Sequence, residues 1–143
     1  MSKFKTVALA AVLFTPFVAH AEPTGDAAAG EQNFRQCQSC HGIESPDGET
    51  IHRLAPTGPN LWGVVGRQAG AYEGYERFST AIVAAGAEHG VVWDEENFVA
   101  YVNDPSGFLR EVTNDSRARG NMNHRLRGSA EDLYAYLAQF SDD

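Results

Sequence analysis

Apolar positions in this chain fall into short helical stripes separated by long polar stretches, after a single unbroken apolar run at the start. Four helices follow from that pattern. The first starts after Gly25-Asp26, with Asp26 as N-cap, and runs through Phe34 to about Gln38. A second spans roughly Ser79 to Ala85 and is stopped by Gly86. A third follows Trp93, opens on Asp94-Glu95-Glu96 in keeping with the helix dipole, carries Phe98, Tyr101 and Val102, and ends at Pro105. The last is capped by Ser129, with Asp132 three residues on in a capping-box pattern. Leu133, Tyr136, Leu137 and Phe140 then form one apolar stripe.

Between these helices lie segments rich in Gly, Pro and polar residues, at about 42–60, 63–77 and 104–128. Loops of that length are uncommon in a compact domain unless they are functional or wrap something. Four short helices with so much loop give a thin protein core, which a large buried prosthetic group would complete.

The opening apolar run is a different kind of signal. Lys3 and Lys5 precede the uncharged stretch Thr6 to Val18, and Ala19-His20-Ala21 supplies small residues for cleavage. This is the order of a secretory signal peptide, and the run is too short for a membrane span. The expected division is a cleaved leader over 1–21 and one domain over 22–143, exported to the periplasm and not membrane-spanning; an uncleaved anchor is the alternative. Cleavage removes both lysines and no acidic residue, moving the net charge from −8 to −10. So acidic a chain repels phosphate and is a poor nucleic-acid binder.

Two cysteines exist, and they are three apart, in Cys37-Gln38-Ser39-Cys40-His41. A disulfide here would close a tiny loop and stabilise little. A thioredoxin-like pair would open a helix, whereas this one ends a helix, and a zinc site wants a second ligand pair. The remaining reading is Cys-x-x-Cys-His haem attachment. Residues three apart share a helix face, so both thiols can join the vinyl groups along one porphyrin edge, and His41 can turn its imidazole to the iron.

For the opposite face of the iron, Met122 is the one methionine outside the leader. It stands in the polar run Gly120-Asn121-Met122-Asn123-His124, where a methionine has no evident core role. His52, His89 and His124 are rivals, and a surface methionine is the plain alternative. Methionine ligation raises the potential relative to a second histidine.

These residues together resemble a class I cytochrome c, closest to the bacterial c2 type, over Gly30 to Leu137. The resemblance implies an all-α cytochrome c fold wrapped around one covalent haem c. It implies that Gly30 and Phe34 meet Leu133 and Tyr136 where the first helix packs on the last. Gly58-Pro59-Asn60-Leu61, Gly63 and Gly66-Arg67 are similar to the family's loop behind the axial histidine, where the proline carbonyl accepts the ring's second N–H. By the same match Arg67 and Trp93 address a haem propionate and Tyr101 approaches the Met122 sulfur. Phe78 stands where the family often has a tyrosine hydroxyl, and Gly120 where it has Thr or Ser. The loops 42–58 and 106–121 are longer than in mitochondrial members, and the lysine-ringed docking face is missing. Without the resemblance, Trp62 and Trp93 read as core or rim aromatics.

The expectation is therefore a monomeric, soluble one-electron carrier and not an enzyme. Its partners would be redox proteins: a periplasmic dehydrogenase or membrane electron-transfer complex, an oxidase or a reductase. Two other functions fit less well, a dedicated subunit of one dehydrogenase and a haem enzyme or gas sensor with an open iron position. Around the methionine segment gather Arg110, Arg117, Arg119, Arg125 and Arg127, five of the nine arginines in the chain.

Overall fold

The computed structural model describes residues 22–141, so the expected leader lies outside the described residues. Five helices and one small hairpin are present among them: α1 (Ala27–Phe34), β1 (Ile43–Glu44), β2 (Thr50–His52), α2 (Thr80–Ala87), α3 (Glu95–Asn103), α4 (Pro105–Thr113) and α5 (Ala130–Leu137). The strands pair antiparallel, with Ile43 opposite His52. No described helix is long and apolar enough to cross a membrane.

Each helix opens on a short polar side chain that accepts a backbone N–H otherwise left without a partner. The caps are Asp26, Ser79, Asp94, Asp104 and Ser129. The capping box expected at α5 forms only halfway. Ser129 Oγ accepts from Asp132 N at 3.0 Å, but the Asp132 carboxylate turns away to accept from Asp26 N at 2.8 Å. It thereby ties the start of α1 to α5. Where the two helices cross, Gly30 permits the approach, since a Cβ there would lie 1.9 Å from Asp132 O and 2.7 Å from Tyr136 Cβ. Phe34, Leu133 and Leu137 are fully buried in this crossing.

Three helix boundaries depart from expectation. The first helix ends at Phe34 and not near Gln38, the chain continuing to Cys40 in turns. Gly86 does not stop α2 but lies inside it, its missing side chain making room for Ala69 O, which a Cβ would approach to 2.0 Å. The chain turns away only at Gly90, with φ at +68°. Pro105 ends α3, yet it also begins α4, which occupies a stretch read as loop. Proline suits the first helical turn, where its missing N–H costs nothing. Asp104 caps the new helix by accepting from Gly107 N at 3.1 Å, and Asn114, in the left-handed region, closes it. Phe108 and Leu109 of α4 are buried, and Phe108 packs on Trp93 and Tyr101 at centroid distances of 6.3 and 5.8 Å.

Candidate functional site

Beyond α1 the backbone keeps turning. Cys37 N donates to Phe34 O at 2.8 Å, and Cys40 N and His41 N donate to Cys37 O at 3.0 and 2.8 Å. This path sets Cys37, Cys40 and His41 along one wall of a cavity of about 650 Å³. Its volume lies in the range of sites that take a ligand or cofactor. All eight residues singled out from the sequence line it: the three just named with Pro59, Arg67, Trp93, Tyr101 and Met122. Apolar side chains from three helices or their flanks add to the lining, among them Phe78, Ile82, Phe98, Val102, Leu133 and Leu137.

The imidazole of His41 is fixed from behind. Its Nδ1 lies 2.9 Å from Pro59 O, and a carbonyl only accepts, so Nδ1 carries the proton and Nε2 keeps a free lone pair. Burial lowers the ring's pKa, the Pro59 bond opposing this in part, which favours the neutral, ligating form. Gly58 makes the arrangement possible, since a Cβ there would lie 2.5 Å from His41 Cε1. The Cys37 thiol is pushed up to about 11, by burial first and then by Cys40.

Arg67 and Trp93 come side by side because the backbone segments carrying them bond together. Gly66 N donates to Trp93 O at 2.9 Å, Trp93 N to Arg67 O at 2.8 Å, and Ala69 N to Val91 O at 2.9 Å. The half-buried Arg67 guanidinium donates to Asn60 O and Trp62 O and lies 4.6 Å over the Tyr72 ring. It has no carboxylate partner among the described residues. The rings of Trp93 and Tyr101 pack tilted against each other, centroids 4.9 Å apart, and are 8 % and 7 % exposed. Neither the indole N–H nor the phenol has a hydrogen-bond partner among the described residues.

The rival histidines separate cleanly. Both nitrogens of His52 are engaged, Nε2 with the Tyr136 hydroxyl at 2.8 Å and Nδ1 with Gln38 Nε2 at 3.2 Å. His89 is exposed after α2 and does not line the cavity. His124 does line it but is exposed, whereas Met122 is partly buried against the core. For the zinc reading, no group of three or more His, Cys, Asp or Glu suited to a metal ion occurs among the described residues.

Of the lining residues, Tyr72 escaped the sequence reading, and the roles of its neighbours emerge only in the fold. Tyr72 carries no spacing signal and matters only because Arg67 folds over it. Tyr75 bonds Thr57 O at 2.7 Å and meets Phe78 edge-on at 4.9 Å. Asn60 holds the loop behind His41 by accepting from Glu44 N and Trp62 N and donating to Glu44 O. Trp62 does not line the cavity and packs on Phe140, 6.0 Å away.

No family model matches the chain. Among curated proteins, it is 53% identical over 118 residues to cytochrome c2 of Rhodovulum adriaticum, covering 80% of this chain and 92% of that one. It is 44% identical over 140 residues to cytochrome c2 of Cereibacter sphaeroides, covering 96% of each. Among solved structures it superposes on cytochrome c2 of Rhodobacter capsulatus with a TM-score of 0.75 at 48% identity, over 80% of this chain and 97% of that one. On ferric cytochrome c-550 of Paracoccus versutus the score is 0.78 at 40% identity, over 82% and 99%. With this site geometry and identity at that level over most of its length, the chain belongs to the cytochrome c2 family of electron carriers, whose members hold one covalent haem c.

Proposed function

We propose that the chain is a periplasmic one-electron carrier in which Cys37 and Cys40 tether the haem, and His41 and Met122 are the axial ligands. The observation that carries this reading is the meeting of both thiols, the free Nε2 of a neutral imidazole and a single thioether on one largely apolar cavity. The haem supplies reversible exchange of one electron at its iron; the protein's residues hold it, exclude water and set its electrostatics. His41 is oriented by Pro59, which also raises its basicity as a ligand. Arg67, half-buried and without a carboxylate, suits an anionic propionate together with the N–H of Trp93, while the Tyr101 hydroxyl, 3.5 Å from where a Cβ on Gly120 would stand, belongs with the Met122 segment. Nothing in this division of roles asks the protein to transform a substrate, so we read it as a carrier and not an enzyme. Residues 1–21 serve as the export leader, and residues 22–143 as the carrier domain.

Replacing Met122 by Ala tests the ligand set. The reduction potential should fall and the reduced protein should bind carbon monoxide, while the haem still resists acid-acetone extraction. An unchanged potential and spectrum would transfer the sixth position to another group, with His124 first in line because it lines the same cavity.

A further inference from the structure

Met122 sits in a segment with little backbone support. Among the described residues, 119–125 make no main-chain to main-chain hydrogen bond; Leu126 N is the next to do so, to Val102 O at 2.9 Å. Side chains supply the other ties. On the near side Asn121 Nδ2 donates to Arg77 O at 2.7 Å. On the far side stands Gln36, the residue immediately before Cys37. Its Oε1 accepts from Arg127 N at 3.0 Å, and its Nε2 donates to Arg127 O at 2.7 Å. The amide thus pairs with the backbone of Arg127 as a strand residue would, with a long 3.4 Å contact to Asn33 O as a third.

We infer that Gln36 is a positioning residue for the sixth ligand, clamping the methionine segment to the haem-attachment turn so that the thioether and the imidazole are held from one rigid base. The inference rests on Met122 being the ligand. The reason lies in geometry: the two axial donors come from segments about eighty residues apart in sequence, and a bond to iron is kept only if both are held at fixed separation. An amide side chain is the natural device, because it offers one donor and one acceptor in the spacing of a peptide group. Nothing in the spacing of the sequence picks out Gln36. The partner atoms are backbone, so the identity of residue 127 carries no signal of the clamp.

The test uses the holoprotein with Gln36→Ala, Gln36→Leu (apolar, no hydrogen bonds) and Gln32→Ala, an exposed position on α1, as control. Two exposed neutral hydrogen bonds are lost, so the equilibrium for segment opening should rise about ten-fold in both Gln36 variants. It should appear as about ten-fold faster amide exchange at Arg127 and Leu126. The red-edge absorption band of thioether-ligated ferric haem should also disappear at lower urea, with the helical signal unmoved. Gln32→Ala should match wild type. A wild-type band with the same urea midpoint in the Gln36 variants overturns the clamp alone. So does a band that moves only together with the helical signal, which would make Gln36 a general stabiliser. Wild-type protein without the band overturns Met122 ligation and the clamp's purpose with it.

Discussion

The Tyr136 hydroxyl and the Nε2 of His52 lie 2.8 Å apart, joining α5 to β2 of the hairpin. His52 also stacks on Phe34 at 4.6 Å, so the ring is a structural wedge with both nitrogens occupied. Tyr136→Phe should cost about 1 kcal/mol in urea unfolding, and His52→Ala about 1–3 kcal/mol, since packing is lost as well. Both should leave the haem spectrum and potential unchanged. A potential shift in His52→Ala would mean that this histidine reaches the iron site after all.

At Gly58 the expected damage is local. Its Cβ would meet His41 at 2.5 Å and Cys40 O at 2.8 Å, neither of which can swing away freely. Gly58→Ala should therefore cost about 1–3 kcal/mol by overpacking and tilt the imidazole off Pro59. A lowered thermal midpoint with altered proximal-histidine proton shifts is the outcome to look for; normal shifts would show that the loop yields instead of the ring.

Alkaline pH gives a signed prediction for Tyr101. Burial, with Tyr75 as a lesser cause, pushes its phenol up to about 12. A raised folded-state value means its stabilising contribution is complete below the ordinary value near 10 and is lost as pH rises towards about 12. Two pH units correspond to about 2–3 kcal/mol. Tyr101→Phe should flatten the fall in unfolding free energy between pH 10 and 12 relative to wild type. If the two curves stay parallel, the phenol titrates normally.

The basic residues near the methionine segment divide by their partners. Arg125 donates to Asp104 Oδ1 at 2.8 Å, and the same oxygen caps α4, so reversing Arg125 would disturb the fold. Arg119 and Arg127 are exposed with no carboxylate partner among the described residues. They are the better probes of an acidic docking partner. Arg119→Glu with Arg127→Glu should slow electron exchange with such a partner about ten-fold at low salt, with the loss shrinking as salt rises. The potential should stay close to wild type. Equal rates at low salt would place docking on another face.

Four of the five helices were legible because each joins a polar cap to an apolar stripe within a single turn or two. Helix α4 carried the same signals, Asp104-Pro105 at its start and Phe108, Leu109 and Val112 at helical spacing. Ser106-Gly107, poor helix formers, and the usual role of proline as a terminator masked them. The hairpin was not legible, since strands of two and three residues are too short to show alternation.

The site divides in the same way. Sequence alone singled out the candidates that the chemistry calls for: two thiols and an imidazole in Cys37–His41, and the thioether of Met122 far along the chain. Which histidines are spoken for, how Arg67 meets Trp93, why residue 58 must lack a side chain and that Gln36 pairs with the backbone of Arg127 were decided only by tertiary structure. Each depends on backbone carbonyls and amides brought together from distant segments. Every residue but proline carries the same backbone donor and acceptor, so their pairing leaves no trace in the order of side chains.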